Sequence, residues 1–214
     1  MSTFTSEVFY GTNHSSFDAV VALRHRCWQS VLSNLSGLDD GHDDHSIHFL
    51  IWNDGRLIVS GRLCLHNLLY EVVEPHLYLN LDTESFPAPW GCMCRLVIDM
   101  PFRGKGFSEF LDHFRMLIAS DLNCSTMLGS WTPKSGMLRR DKLFSQGYVS
   151  CSDNRLIADG EFGESMPLAK LITDTTKTDE HSTDIFPIDI EKINRMFNQQ
   201  LLELAASHPF PSID

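Results

Sequence analysis

The chain has 214 residues, which at roughly 100–200 residues per domain gives one domain with an appendage, large enough to bury a core without staples. With 43% hydrophobic and 21% charged residues, it is neither collagen-like, nor a coiled coil, nor disordered throughout. The formal net charge of −11 argues against a dedicated nucleic-acid binder, whose balance is usually basic. No apolar run approaches the ~20 residues that span a bilayer. The start, MSTF, lacks the basic and apolar regions of a signal peptide. Six scattered cysteines with no CxxC pair read as free, buried thiols, so a reducing, cytoplasmic setting is expected.

Phe4, Val8 and Tyr10 predict a first strand over residues 4–10. Ser15, followed three residues later by Asp18, reads as a capping box opening a helix. That helix carries Phe17, Val20, Val21, Cys27, Trp28, Val31, Leu32 and Leu35 at spacings of three and four. Residues 37–44 form a polar loop. Two strands follow, over residues 47–52 and 56–66, joined by Asn53-Asp54-Gly55, because Asp-Gly readily takes the positive φ a hairpin turn needs. Residues 68–89 read as a short helix and a loop, with Pro87 and Pro89 marking irregular backbone.

Residues 92–99 are an apolar run suited to a buried strand, ended by Pro101 and Gly104. Residues 106–120 predict a helix with Phe107, Phe110, Leu111, Phe114, Leu117 and Ile118 on one broad face. Residues 126–131 are a short apolar segment, and residues 135–146 predict a helix stopped by Gly147. Residues 148–157 return as one or two strands. The remainder differs, with 11 acidic and four basic residues from Asp159 to the end. Residues 171–185 read as a polar loop, and residues 187–206 as a final helix through Ile190, Ile193, Phe197, Leu201 and Leu204. The expected organisation is a domain over residues 1–158 and an acidic extension over residues 159–214. Its terminal helix docks on the domain, and a lid or a homodimer contact is the alternative.

The segment RLVIDMPFRGKGFS (residues 95–108) runs strand, tight turn, helix. Gly104 and Gly106 let the backbone approach a ligand closely. Amides at a helix start point outward, and the helix dipole favours an anion there. Arg103 and Lys105 add positive charge. This is the pattern of a pyrophosphate cradle made mainly of backbone. GxxxxGK[ST] is absent and the GxGxxG spacing fails, which excludes a Walker loop and a dinucleotide fingerprint. Residues 95–142 hold eight basic against five acidic residues, a local positive patch inside an acidic chain. A solvated helix face accounts equally well for Arg139 and Arg140.

The segment resembles the acyl-CoA-binding motif of the GNAT N-acetyltransferase family, Arg/Gln-x-x-Gly-x-Gly/Ala. Arg103 matches its first position and Gly106 its fourth, while Ser108 stands where Gly or Ala is usual. RLVIDMPFRG (residues 95–104) is similar to the family's fourth strand and following loop. RDKLFSQGY (residues 140–148) is similar to its helix-to-strand motif ending in Gly-Phe. The resemblance implies an α/β fold: a mixed, mostly antiparallel sheet, splayed at strand four and flanked by helices. It implies acetyl-CoA or another acyl-CoA as co-substrate, with pantetheine in the split. Its binding residues would be Leu96, Val97 and Ile98 through their backbone, and Arg103, Gly104, Lys105, Gly106, Phe107 and Ser108 at the cradle. A backbone amide at the developing oxyanion is a large catalytic term. The implied activity is transfer of an acetyl or other acyl group to a primary amine, on a small molecule or a protein.

Many members place a Glu on the fourth strand as base and a Tyr four residues before the Gly of Gly-Phe as acid. Cys92 and Leu143 stand there, so the catalytic residues stay unassigned. For Cys92, an inert buried thiol is the better account than an acyl-accepting nucleophile. Tyr148 reads as core.

A second likeness involves Arg24, Trp28, the acidic loop at residues 39–44, Arg62 and Arg95. These resemble the acyl-homoserine-lactone synthases and related N-acyl amino acid synthases, which take acyl chains from acyl carrier protein. A third reading, a non-catalytic acyl-CoA-binding module, is supported by the absent Glu and Tyr. Trp28, Trp52, Trp90 and Trp131 read as core, with an acyl or aromatic pocket as the alternative. His42, His45 and His48 sit at three-residue intervals, but no closed metal-ligand set is evident, and a polar loop entering a strand is the better account.

Overall fold

The computed structural model describes residues 3–29, 38, 40–160, 163–172 and 188–207. Val31, Leu32 and Leu35 of the first predicted helix, and most of the predicted loop at residues 171–185, lie outside the described residues. The described elements are β1 (Phe4–Tyr10), α1 (Phe17–Trp28), β2 (Ser46–Asn53), β3 (Arg56–His66), β4 (Trp90–Ile98), α2 (Phe107–Asp121), β5 (Thr126–Trp131), α3 (Met137–Ser145), β6 (Val149–Ser150), β7 (Ile157–Ala158), β8 (Glu164–Leu171) and α4 (Ile190–Ser207). Residues 68–89 contain two single turns of 3₁₀ helix rather than an α-helix.

The strands form one mixed sheet in the order β1-β2-β3-β4-β5-β8-β6, with β7 pairing the start of β8. All described strand pairs are antiparallel except β4 with β5. The β2–β3 turn is the expected hairpin: Asp54 and Gly55 have φ of 48° and 76°, matching the twist of the strands they join. The capping box is not formed. Ser16 occupies the N-cap of α1 without a side-chain cap, because its hydroxyl donates to the Glu7 carboxylate on β1 at 2.8 Å.

The parallel pair is short. β4 and β5 share only the rungs Trp90–Thr126, Gly91–Met127 and Cys92–Leu128. Beyond Cys92, β4 keeps β3 on one edge and no described strand on the other, so the sheet splays at strand four. One extra residue marks the splayed half of β4. Ser60 pairs Val97 and Arg62 pairs Cys94, so Gly61 faces both Arg95 and Leu96 in a β-bulge. Arg95 takes a φ of 52° there. Gly61 makes a close approach on the other side: a Cβ at this position would lie 2.4 Å from Leu111 Cδ2 of α2, so that side chain would have to shift. Arg115 of α2 donates to the carbonyls of Arg62 at 3.1 Å and Cys94 at 3.3 Å, which pairs backbone around the bulge.

Strand alternation separates two faces. On one, Ile47, Phe49, Leu63 and Met127 pack against Leu111, Phe114 and Ile118 of α2 and Phe197 of α4. On the other lie two apolar patches. One joins α1 to Leu50, Leu57 and Val97, and the other joins Val72, Val73, Leu77 and Tyr78 to Trp90, Cys92 and Leu128. The sheet continues past residue 158, because β8 sits between β5 and β6. α4 packs against β1, where Ser6 Oγ donates to Asn198 Oδ1 at 2.6 Å. The fully buried Phe197 ring lies 4.7 Å from that of Phe114, 5.5 Å from Phe110 and 5.7 Å from Phe49, centroid to centroid. Phe197→Ala should therefore lower stability by about 3–5 kcal/mol, read as a shift in urea unfolding. An unchanged midpoint would show that α4 is an appendage to a core complete without it.

Candidate functional site at the splayed strand

The turn between β4 and α2 has the open backbone its sequence predicts. Gly104 and Gly106 have φ of 74° and 87°, and among the described residues nothing beyond the chain neighbours lies within 4 Å of a Cβ built on either. Gly106 is the N-cap of α2, and no side chain caps that helix start. An anion there meets backbone amides and the positive end of the dipole of a 15-residue helix. The nine residues singled out from the sequence take different positions. Val97 is buried under α1, and Leu96 and Ile98 pack on the α2 face. Arg103 is exposed but folds back, its Nε donating to the Ile98 carbonyl at 3.0 Å. Lys105 Nζ lies 5.8 Å from the centroid of Phe102. The Phe107 side chain is core, so it offers the turn only its backbone. Ser108 is half-buried in the first turn of α2.

On the opposite face, between the two apolar patches, lies a buried polar cluster. Arg24 of α1 grips Asp43 with two bonds of 2.6 and 2.9 Å. Arg62 of β3 is fully buried and grips Asp40 at 2.7 and 2.5 Å and Asp43 at 2.9 Å. Arg95, on the bulge, donates to Asp40 at 2.7 Å and lies over Trp28 at 5.6 Å. Burial pushes the Asp40 carboxyl up, but the Arg62 bond and the Arg95 charge overcome it and hold it well below the usual carboxylate range. Asp43 is lowered in the same way, by Arg24 and Arg62. The structure thus brings together Arg24, Trp28, Arg62 and Arg95 with two acids of the loop, while Asp39 lies outside the described residues.

The remaining nitrogen of Arg62, Nε, donates to Cys94 Sγ at 3.1 Å. Cys64 Sγ lies 3.6 Å from the same sulfur. Burial raises both thiols, but the Cys64 bond and the Arg62 and Arg95 charges carry Cys94 well below an ordinary thiol, while Cys64 goes well above. Cys92, considered from the sequence as an acyl acceptor, is buried and its thiol is pushed well above the ordinary range. Leu143 and Tyr148 are both core, and the Tyr148 hydroxyl donates to Met93 Sδ at 3.4 Å. His48 of the histidine series is buried against Phe9 and bonded to the Asp43 carbonyl, and burial depresses it to about 4. Among the described residues, no group of three or more His, Cys, Asp or Glu is arranged to hold a metal ion.

Glu74 is the acid that sequence reasoning missed. It sits in the irregular segment before β4 at a φ of 58°, with Oε1 3.6 Å from Arg95 Nη1. A non-glycine residue held in that left-handed region is strained, and such strain clusters at functional sites. Burial first, then the charge of Asp159, push its carboxyl up to about 7, against the pull of Arg95. A carboxyl poised there is matched to proton transfer near neutral pH.

Comparison with solved structures places this architecture. An N-acyl amino acid synthase from uncultured soil microbes superposes with a TM-score of 0.60 at 12% identity, covering 80% of this chain and 92% of that one. The chain has the GNAT fold. A CoA-dependent acyl-homoserine lactone synthase, solved with SAM and isopentyl-CoA, matches with a TM-score of 0.53 at 15% identity, covering 99% and 92%. The ribosomal-protein-S18-alanine N-acetyltransferase from Escherichia coli matches with a TM-score of 0.53 at 11% identity, covering 85% and 100%. No family model matches the sequence, and no curated protein matches it. Among the described residues, no helix of this GNAT-fold chain is long and apolar enough to cross a membrane.

Glu74 gives the site a pH signature. Its folded carboxyl is raised above the ordinary 4.5, so between pH 4.5 and about 7 the native state binds more protons than the unfolded one. That contribution to stability is complete below pH 4.5 and is lost as pH rises through about 7. Glu74→Gln, which stays neutral, should raise the unfolding midpoint more at pH 8 than at pH 5. An equal effect at both pH values would show an ordinary carboxylate.

Proposed function

We propose that this chain transfers an acyl group from acyl-CoA to a primary amine. The observation that carries the reading is the end of β4–β5 pairing at Cys92 and Leu128, which leaves residues 93–98 of β4 without that neighbour on the way to the open turn at Gly104 and Gly106. A strand edge left open on one side accepts an amide-bearing chain such as pantetheine by strand-like bonding. The uncapped start of α2 suits the pyrophosphate of the same molecule. The thioester then lies along Leu96, Val97 and Ile98, where a backbone amide stabilises the charge developing on its carbonyl oxygen. In this reading acyl-CoA supplies the activated acyl group. Arg103, Gly104, Lys105, Gly106, Phe107 and Ser108 hold its phosphates, with Phe107 contributing backbone only. Glu74 takes the proton of the attacking ammonium, filling the role left open by Cys92 and Leu143.

A second reading, an N-acyl synthase that draws its acyl chain from acyl carrier protein, is favoured by one observation. The residues likened to the acyl-homoserine-lactone and N-acyl amino acid synthases converge in a single cluster of Arg24, Asp40, Asp43, Arg62 and Arg95. Structures bearing both names are among those the fold matches. The six free cysteines support a reducing, cytoplasmic setting for either reading.

Calorimetric titration with acetyl-CoA and with free CoA tests the first reading. Saturable binding of acetyl-CoA is expected, and Gly106→Trp should weaken it at least about tenfold, a loss of roughly 1.4 kcal/mol, while circular dichroism shows an intact fold. Equal affinity in that variant would remove the turn from the binding site. Binding of neither ligand, with binding of acylated carrier protein, would select the second reading.

A further inference from the structure

The split in the sheet has a closed inner end. Its last rung pairs Cys92 with Leu128, and both residues are buried. One residue further along each strand, the two faces of the sheet are covered by different side chains. On the α2 face, Met93 packs on the core and the Tyr148 hydroxyl donates to its Sδ at 3.4 Å. On the opposite face, Tyr78 belongs to the buried patch of Val73, Leu77, Trp90, Cys92 and Leu128. It is only 3% exposed, and its hydroxyl donates to the Gly129 carbonyl at 2.7 Å. That bond lays the phenol across the sheet at the first β5 residue past the last rung. The Tyr78 proton is spent on the strand, and burial pushes the phenol well above the ordinary tyrosine range, so this side chain acts by filling space. Glu74 is the N-cap of the single 3₁₀ turn Pro75–Tyr78, so one short piece of backbone sets both the strained acid and the tyrosine.

The direction of a bound thioester follows from the two ends of β4. The cradle at residues 103–108 lies past its C-terminal end, and the closed rung lies near its N-terminal end. With phosphates at the cradle and the thioester along Leu96, Val97 and Ile98, the acyl group points inward, at Met93 and Tyr78. From Leu96 to Met93 is about three residues of strand, or roughly 10 Å. Extended hydrocarbon with C–C bonds of about 1.5 Å fills that length with roughly eight carbons. We propose that Tyr78 is the stop at the inner end of the split and restricts the acyl donor to chains of no more than about eight carbons. The proposal rests on the acyl-CoA reading above and supplies the donor class that reading leaves open. Removing the phenol opens space beside Val73, Leu77 and Trp90, where each further methylene buried is worth about fourfold in affinity.

The test is calorimetric titration of the full chain with saturated acyl-CoAs from acetyl to dodecanoyl. Dodecanoyl-CoA is expected to bind at least about tenfold more weakly than octanoyl-CoA, and Tyr78→Ala to abolish or reverse that difference. Tyr78→Phe keeps the ring and should keep the limit. Tyr78→Leu, a smaller loss of volume, carries the comparison where Tyr78→Ala fails to fold, and the unsubstituted protein by itself decides whether a limit exists. Equal binding of octanoyl- and dodecanoyl-CoA overturns the stop and leaves the CoA reading standing. A limit that is unmoved in the folded Tyr78→Ala or Tyr78→Leu protein overturns the assignment to Tyr78. If no acyl-CoA of any length binds, the CoA reading fails, and the same acyl series is carried on N-acetylcysteamine, which has no nucleotide, and read by ligand-observed NMR. A limit at the same length that Tyr78→Ala or Tyr78→Leu lifts then supports the stop without the cradle. Binding without a limit, or no binding, overturns both.

Discussion

One extra residue in β4 organises the site. The bulge opposite Gly61 puts Arg95 in the left-handed region, with its guanidinium bonded to Asp40, and interrupts the β3–β4 ladder just beyond the last β4–β5 rung at Cys92. The bulge is held from below by Arg115, whose guanidinium bonds the carbonyls of Arg62 and Cys94 and is itself paired with Asp112 at 2.7 Å. Arg139 of α3 reaches the same Asp112 carboxylate, so α2 and α3 are tied to each other beneath the strand. Gly61 is the counterpart on β3, because a Cβ there would meet the end of the Leu111 side chain of α2 and force it to shift. The bulge lies within the half of β4 that β5 does not pair, and that half leads to the turn before α2.

The buried charges are the second constraint. Three guanidiniums and two aspartates on the interior face of a sheet are not a device for stability, since apolar residues of the same volume serve a core equally well or better. The cluster does fix geometry. Arg62 connects the loop acids Asp40 and Asp43 to Cys94, and Asp40 connects Arg62 to Arg95 on the bulge. α1, the loop before β2, and the middle of β3 and β4 are thereby set relative to one another by directional bonds. Glu74, raised by burial and strained in its backbone, adds a cost without a structural return. Such residues are retained where chemistry needs them.

Much of this was readable along the chain because it is local. Asp54-Gly55 specifies its hairpin through positive φ, the Phe107, Phe110 and Phe114 spacing specifies the buried face of α2, and Gly104 and Gly106 specify the open turn. The failures have equally definite causes. The Ser15 box reads correctly in isolation, but Glu7, brought close by the sheet, captures the neighbouring Ser16 hydroxyl. Residues 164–171 looked like part of an acidic extension. Their apolar alternation is short and contains Pro167, a residue that argues against an interior strand, yet they pair with both β5 and β6. Glu74 and Cys94 carried no signal, because what distinguishes them comes mainly from residues the fold brings in, Asp159 and Arg95 for Glu74 and Cys64 and Arg62 for Cys94. Arg24, Trp28, Arg62 and Arg95 were visible as a pattern, and only the fold shows that they share one cluster.

The central claim is that the splayed edge of β4 and the turn after it form one surface for an acyl thioester. Hydrogen exchange of backbone amides, measured with and without acetyl-CoA, tests it most directly. The account predicts slowed exchange confined to residues 93–98 and 103–108, with β1 and β2 unchanged. Bound ligand with protection elsewhere, and none on these two segments, would contradict it.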